Sequence, residues 1–345
     1  MTDSATTTQR SLAERPLGRS GLKVTVASLG AGGLGNFFRR ITNADAAGLV
    51  DTAWRAGIRY FDTAPFYGRG RSERRLGSYL GDHPREDFVL STKVGRLMVP
   101  APGGAQEDGI FYDPAPFDSV YDYSYDGVMR SHEMSLQRLG LSRIDVLLVH
   151  DIGVFLHGAD ATRQLNVFKN GGLKALEELR SSGAIRAYGL GVNEVAACLE
   201  CLDYGNPDAF LLAGRFTLLE QDAVKPLLER CTKQGASIIV GGVFNSGILA
   251  TGDTPDARYN YGPATKEVRQ KVRQLQAVCE RYEIPLSAAA LQFPLSSPAV
   301  ASVLLGAGTS SSLTRCMEGL RTEIPKDFWQ DLVTEQLLAP EMMPS

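Results

Sequence analysis

Short apolar or β-branched runs alternate along the chain with longer segments whose apolar residues recur at helical spacing. The short runs predict strands at 24–29, 59–62, 88–93, 146–150, 186–192, 209–213, 237–243 and 300–305. Helical patterns fall between and after them at 43–56, 72–80, 125–139, 171–182, 194–204, 224–234, 263–282 and 310–320. Several open on a capping residue and stop near a glycine, as at Gly57, Gly140, Gly183 and Gly235. A parallel neighbour needs a crossover of about a dozen residues, so this alternation implies a parallel sheet. Eight strand-helix units predict an α/β fold of one domain, a closed (β/α)8 TIM barrel, with an N-terminal hairpin placed around Gly18 and Gly21. The expected organisation is a disordered tail at 1–14, the barrel at 15–338 and a C-terminal tail at 339–345.

Two predicted connections exceed ordinary loop length. Segment 95–124 interleaves prolines and glycines with Phe111, Tyr112, Phe117, Tyr121 and Tyr123, and 152–170 follows His150. Loops this long in a compact domain are usually functional, so the aromatics are expected either to wall a flat polar ligand or to anchor the loop itself. Composition narrows the classes. A net charge of −3 with dispersed Lys and Arg argues against a nucleic-acid or membrane-surface partner. No apolar run approaches the ~20 residues that span a bilayer. The Thr- and Ser-rich start lacks the apolar centre of a signal peptide, and five cysteines suit a reducing compartment, so a cytoplasmic location is expected. Cys198 and Cys201 form a C-x-x-C within a helical pattern, read as apolar packing rather than as a zinc or redox site.

Gly30-Ala-Gly-Gly-Leu-Gly35 matches the glycine pattern of a dinucleotide-binding turn directly after a strand. That turn must run straight into a helix whose N-terminus receives the pyrophosphate, whereas here 36–41 intervenes before the helical pattern begins. The glycines are instead expected to let the first barrel loop pass close to a ligand. In a barrel the reactive groups come from the C-terminal ends of several strands. The polar residues at those positions are Asp62, Lys93, His150 and Asn193, and Tyr67 follows Asp62 closely. A tyrosine hydroxyl titrates near ~10, too high for a base at neutral pH unless perturbed. A lysine ammonium beside it favours the phenolate, and a buried lysine keeps its charge only with a carboxylate, for which Asp62 is the candidate. Singly, each residue has an ordinary structural explanation; together, at the ends of different strands, they make an acid/base site in which His150 orients a carbonyl or hydroxyl against Tyr67.

Tyr60-Phe-Asp-Thr-Ala-Pro-Phe-Tyr-Gly with Ser72-Glu-Arg-Arg-Leu-Gly, the strand ends at Lys93 and His150, and Gly191-Val-Asn carry a likeness that spans Arg15 to Leu320. The chain resembles the aldo-keto reductase superfamily. The resemblance implies hydride transfer between a nicotinamide cofactor and a carbonyl or alcohol carbon, with Tyr67 as general acid/base, Lys93 and Asp62 as its tuning pair and His150 as substrate orienter. Tyr112 and Phe117 of the long third loop join Tyr67 and His150 as candidate substrate contacts. For the cofactor it implies Gly32, Asp62 and Asn193, the segment Val243, Phe244, Asn245, Ser246 and Gly247 around the pyrophosphate, and Gly306, Gly308, Ser312 and Arg315 around the adenosine. No metal site is expected. Three positions depart from the family pattern: Asn193-Glu194 replaces Ser-Asn, Ala213 stands where glutamine is usual, and Gly241 where a tyrosine often stacks on the nicotinamide.

NADP-specific relatives place Lys and Arg around the 2′-phosphate, which needs cationic donors. Here that segment offers Gly306, Ser312 and only Arg315 nearby, so NAD is favoured over NADP. With Arg215-Phe-Thr-Leu-Leu-Glu and the aromatic third loop, the likeness is to a bacterial dehydrogenase branch that oxidises L-fucose-type aldoses, or pyridoxal, at a cyclic hemiacetal to a lactone. An aldose is the leading expectation and pyridoxal the alternative. The expected partner is that small molecule, bound by a monomer or small homo-oligomer. Two other classes compete. A metal-dependent barrel hydrolase lacks a His-x-His or His-Glu-x-x-His spacing, and a non-catalytic regulatory barrel has no need of Asp62, Tyr67, Lys93 and His150 together.

Overall fold

The computed structural model describes residues 12–344. Eight parallel strands close into a barrel: β1 (Ala27–Gly30), β2 (Tyr60–Asp62), β3 (Val89–Val94), β4 (Val146–His150), β5 (Ala187–Val192), β6 (Ala209–Ala213), β7 (Ser237–Gly241) and β8 (Val300–Leu305). Ring order follows chain order, and β8 returns to β1 through Val303–Ala27, Leu304–Ser28 and Leu305–Leu29. Helices such as Asn43–Arg55, Arg71–Leu80 and Tyr125–Leu139 form the crossovers.

Strand alternation builds two cores. On β4, Val146 and Leu148 face the barrel interior with Tyr60, Leu211, Ile239 and Leu304, while Leu147 and Val149 face the helices. The hairpin Glu14–Pro16 with Lys23–Thr25 adds Leu17, Leu22 and Val24 to the inner cluster. Arg15 fastens it with hydrogen bonds to the carbonyls of Leu295, Ser297 and Val300. Each such apolar side chain contributes roughly 1.5–3 kcal/mol by burial. The consequence for function is that the N-terminal end of the barrel is plugged and the C-terminal end, carrying Asp62 and His150, stays open to the long loops.

The structure departs from the sequence-based expectations at several places. Segment 95–124 contains an antiparallel hairpin, Arg96–Pro100 with Phe117–Tyr121, in which Leu97 and Met98 are buried. Segment 152–170 winds into helices Val154–His157 and Ala161–Val167, then a wide turn at Phe168–Gly172 that runs on into Leu173–Ser181. Glu14, expected within the loose segment 1–14, pairs with Thr25, and 1–11 lies outside the described residues. Residues 339–344 are fastened rather than loose, since the Ala339 N–H donates to Gln221 and Glu341 pairs with Lys225; Ser345 lies outside the described residues. Cys198 and Cys201 are buried, and burial pushes the Cys201 thiol up to about 12, which removes the thiolate that metal or redox chemistry needs. Among the described residues no helix is long and apolar enough to cross a membrane.

Candidate active site

Strand register brings the polar strand ends together. Asp62 lies beside Ser91 of β3, Lys93 beside Leu148 of β4, and His150 beside Gly191 of β5. The Lys93 ammonium donates to Asp62 Oδ2 at 2.6 Å and to the Thr63 carbonyl at 2.9 Å, and the Ser91 hydroxyl donates to Asp62 Oδ1 at 2.7 Å. Lys93 and Asp62 are 2% and 0% exposed, so each charge depends on the other. Gly191 makes room for this lysine: a Cβ there would stand 3.2 Å from Lys93 Cε.

Tyr67 sits on the turn after β2, with its ring centroid 4.8 Å from the Lys93 ammonium. Phe111 stacks on it at 5.8 Å and 29°, and His150 meets it edge-on at 5.8 Å. The backbone of the first barrel loop presses on the same turn. A Cβ on Gly35 would lie 2.6 Å from the Tyr67 carbonyl carbon, and one on Gly33 would lie 2.7 Å from the Ala307 oxygen. The glycine run is therefore required for loop-to-loop packing at Gly33 and Gly35, while Gly32 keeps open space around it through which the loop could pass close to a ligand.

The electrostatics oppose one another usefully. Burial raises the Tyr67 hydroxyl to about 12, and the Lys93 charge resists that rise. Burial works against the Lys93 ammonium, but Asp62 and Tyr67 outweigh it and hold the lysine charged. Burial raises the Asp62 carboxyl, with Lys93 and Ser91 opposing. His150 is held well below its ordinary value by burial, then by the charges of Arg96 and Lys93, so its imidazole is neutral. Its Nδ1 is buried without a partner, and its Nε2 lies 3.5 Å from Asp151 Oδ2. Tyr123, fully buried, fixes this strand end by donating to the His150 carbonyl at 2.8 Å. A lysine-tuned tyrosine beside a neutral imidazole can exchange a proton with an alcohol or carbonyl oxygen.

The other expected residues divide. Asn193 donates to the Ala213 carbonyl and to the Tyr261 hydroxyl, at 3.3 and 3.2 Å. Val243 is buried, and the Asn245 side chain is consumed by Thr217 and the Gly214 carbonyl, so this segment offers a ligand its backbone rather than the Asn245 amide. Ser246 accepts from the Tyr261 N–H, and the Ser312 hydroxyl is engaged by Thr309 in a helix cap. Arg315 is exposed. Tyr112 lies under Arg40 and Phe117 under Arg74, at 5.5 and 5.6 Å, so neither is the aromatic beside Tyr67; that ring is Phe111. The rim nevertheless suits a dinucleotide. No atom lies within 4 Å of a Cβ built on Gly32, Gly247 or Gly306, which leaves backbone that a flat ligand can approach. The helix Ser310–Gly319 begins four residues after Gly306; its Thr309 cap takes the Ser312 N–H and leaves those of Ser310 and Ser311 without intrahelical partners.

Residues 28–334 match the model of the Aldo/keto reductase family. The chain belongs to that family. Pyridoxal 4-dehydrogenase of Microbacterium luteolum is 42% identical over 336 residues, covering 94% of this chain and 98% of the relative. D-threo-aldose 1-dehydrogenase of a Pseudomonas species is 37% identical over 324 residues, covering 92% and 96%. Among solved structures, the holo form of an aldo-keto reductase from Bacillus halodurans superposes with a TM-score of 0.74 at 22% identity, covering 94% and 96%, a likeness of fold.

Within this aldo/keto reductase the departures noted in the sequence acquire physical reasons. Glu194 accepts from the Phe155 N–H at 2.8 Å, so it ties the fourth loop to the end of β5. Ala213 and Gly241 are register partners and make a small-residue floor. The aromatic on that side is Tyr261, at the tip of the hairpin Arg258–Tyr259 with Gly262–Pro263, which sequence reasoning missed because it lies well downstream of β7. Arg39 was also missed: its Cδ lies 3.7 Å from a Cβ built on Gly308, so a cation borders the segment expected around the adenosine. Arg96 and Asp151 were missed because nothing in the sequence marks them as other than surface charges.

Proposed function

We propose that the protein is a dehydrogenase that takes hydride from the carbon of a cyclic hemiacetal, an aldose in its ring form, and releases the lactone, with NAD as acceptor. The observation that carries this reading is the buried Lys93–Asp62 pair set against Tyr67, with neutral His150 facing the same ring. An oxidised nicotinamide dinucleotide, when bound, supplies the hydride acceptor. Asn193, the backbone of 243–247, Gly306, Gly308 and the start of the helix at Ser310 are the groups that would hold it. The chain's own part is proton transfer and positioning. Tyr67, as phenolate, takes the proton of the anomeric hydroxyl; Lys93 favours that phenolate and Asp62 keeps Lys93 charged; neutral His150 hydrogen-bonds the reacting oxygen. NAD is favoured because Gly306 to Ser312 contains no Lys or Arg; Arg39 and Arg315 flank the segment, so the NAD and NADP arms of the assay below decide between the two.

Pyridoxal, which also closes to a hemiacetal, is the second reading, favoured by the 42% relative and by the aromatic rings of Phe66, Phe111 and Tyr121 near the site. The test is formation of reduced cofactor by purified protein with L-fucose, arabinose and pyridoxal side by side, each with NAD and NADP. Turnover of a sugar with NAD is expected; turnover of neither substrate class overturns the proposal.

A further inference from the structure

Next to His150 stands a second charged pair; the charge of its arginine helps keep the imidazole neutral, but the proton transfer gives its carboxylate no part. Arg96, 6% exposed in its side chain, pairs with Asp151 Oδ2, and its guanidinium lies over Phe66 at 4.0 Å and Tyr121 at 4.7 Å. Two aromatic faces and a carboxylate hold that arginine, so it is a fixed strut rather than a mobile surface charge. Asp151 is different. Its side chain keeps 22% exposure, and Oδ1 takes no hydrogen bond among the described residues. The residue holds φ at 53°, the left-handed region that costs a non-glycine residue roughly 1 kcal/mol or more, and its N–H is fixed to the Gly191 carbonyl at 2.9 Å. Strain, a buried counter-ion and a free carboxylate oxygen therefore coincide at the mouth, directly after the residue that orients the substrate.

We propose that Asp151, braced by Arg96, binds the substrate hydroxyl on the carbon next to the one oxidised, and so selects sugars that carry that hydroxyl. The inference rests on the hemiacetal reading above. The geometry suits this: Asp151 Oδ2, held by Arg96, lies 3.5 Å from His150 Nε2, so the carboxylate that carries the unbonded Oδ1 stands beside the imidazole, and neighbouring hydroxyl oxygens of a sugar stand about one hydrogen-bond length apart, ~2.8 Å. One oxygen can meet the imidazole while its neighbour donates to the carboxylate. An ionised carboxylate is acceptor-only, so the partner must be a donor. A sugar hydroxyl qualifies, whereas the phenolic oxygen of pyridoxal, once ionised, would be repelled. Asp151 thus separates the two substrate classes that share hemiacetal chemistry.

The experiment compares L-fucose with 2-deoxy-L-fucose in wild type, Asp151→Gly and Asp151→Asn. Glycine and asparagine both tolerate the left-handed backbone, so the loop keeps its path. In wild type, kcat/KM is expected to favour the 2-hydroxy sugar by about tenfold or more, the worth of a hydrogen bond to a charged group. In Asp151→Gly the ratio should fall to within about twofold, with Asp151→Asn between. A ratio unchanged in Asp151→Gly, or no preference in wild type, overturns the proposal. Turnover of pyridoxal without any sugar overturns it too while leaving the hemiacetal reading intact; turnover of neither class overturns both.

Discussion

Replacing Lys93 by Met removes the one positive charge set against Tyr67 and keeps the length of the side chain. At an effective dielectric constant of about 20, a unit charge about 4 Å from a phenolate oxygen interacts by ~4 kcal/mol, or ~3 pKa units. Left without its ammonium, the buried Asp62 takes up a proton and its own opposing charge on Tyr67 is lost as well, so the net rise for the Tyr67 hydroxyl is roughly 1–2 pKa units. Oxidation needs the phenolate. With the hydroxyl at about 12, the basic form is a small fraction at neutral pH and grows tenfold with each pH unit. A plot of log kcat/KM for the oxidation against pH should therefore rise with unit slope in both proteins. The Lys93→Met line should lie ~1–2 log units lower. The variant also strands Asp62, whose carboxyl burial already raises, at a cost of about 3–5 kcal/mol measurable by urea unfolding. Superimposable pH profiles for the two folded proteins would refute the claim that Lys93 tunes Tyr67.

Further outcomes follow from single contacts. His150 is held well below its ordinary range, so the profile should show no inflection between about pH 6 and 7; a break near 6.5 assigned to His150 by NMR titration would contradict its neutral state. Gly35→Ala puts a Cβ 2.6 Å from the Tyr67 carbonyl carbon, and a displaced Tyr67 should cost about 10²-fold in kcat while fluorescence titration shows the cofactor still binding. Glu194→Ala removes the acceptor of the Phe155 N–H and should release Val154–His157, seen as faster proteolysis there and a raised KM. Tyr67 and Tyr188 titrate at about 12 when folded against ~10 when unfolded. Their raised values contribute stability fully below about pH 10 that is lost as pH rises through 12, so the urea midpoint should fall between pH 9 and 11.

The barrel was legible because its signal is repeated. Eight apolar runs, each followed by a helical pattern, constrain one another, and the strands fall where the sequence placed them, most ends displaced by a residue or two, as at Val243 beyond the end of β7; the first run, 24–29, splits between the hairpin and β1. Asp62, Lys93 and His150 were legible for the same reason, since a charged residue closing an apolar strand stands out. Side-chain direction in irregular segments was not. Phe111 and Tyr112 are adjacent in sequence, yet one stacks on Tyr67 and the other on Arg40, and only the loop's path decides which. Polar residues in the cofactor segments carried the same ambiguity: Asn245 and Ser312 have the right chemistry for a ligand but spend it on Thr217 and Thr309. Arg96 and Asp151 escaped because their pairing spans loops distant in sequence, and Tyr261 because a two-residue hairpin pairing gives no periodicity.

The central claim is that Tyr67 moves the proton in a nicotinamide-linked oxidation, and Tyr67→Phe tests it most directly, because it deletes one oxygen from the ring and leaves the Phe111 stack in place. Measured with a substrate that wild type turns over, and with cofactor binding verified by fluorescence, kcat/KM should fall by about 10²–10⁴-fold, the usual share of positioned acid/base catalysis. Undiminished turnover in that variant would contradict the account.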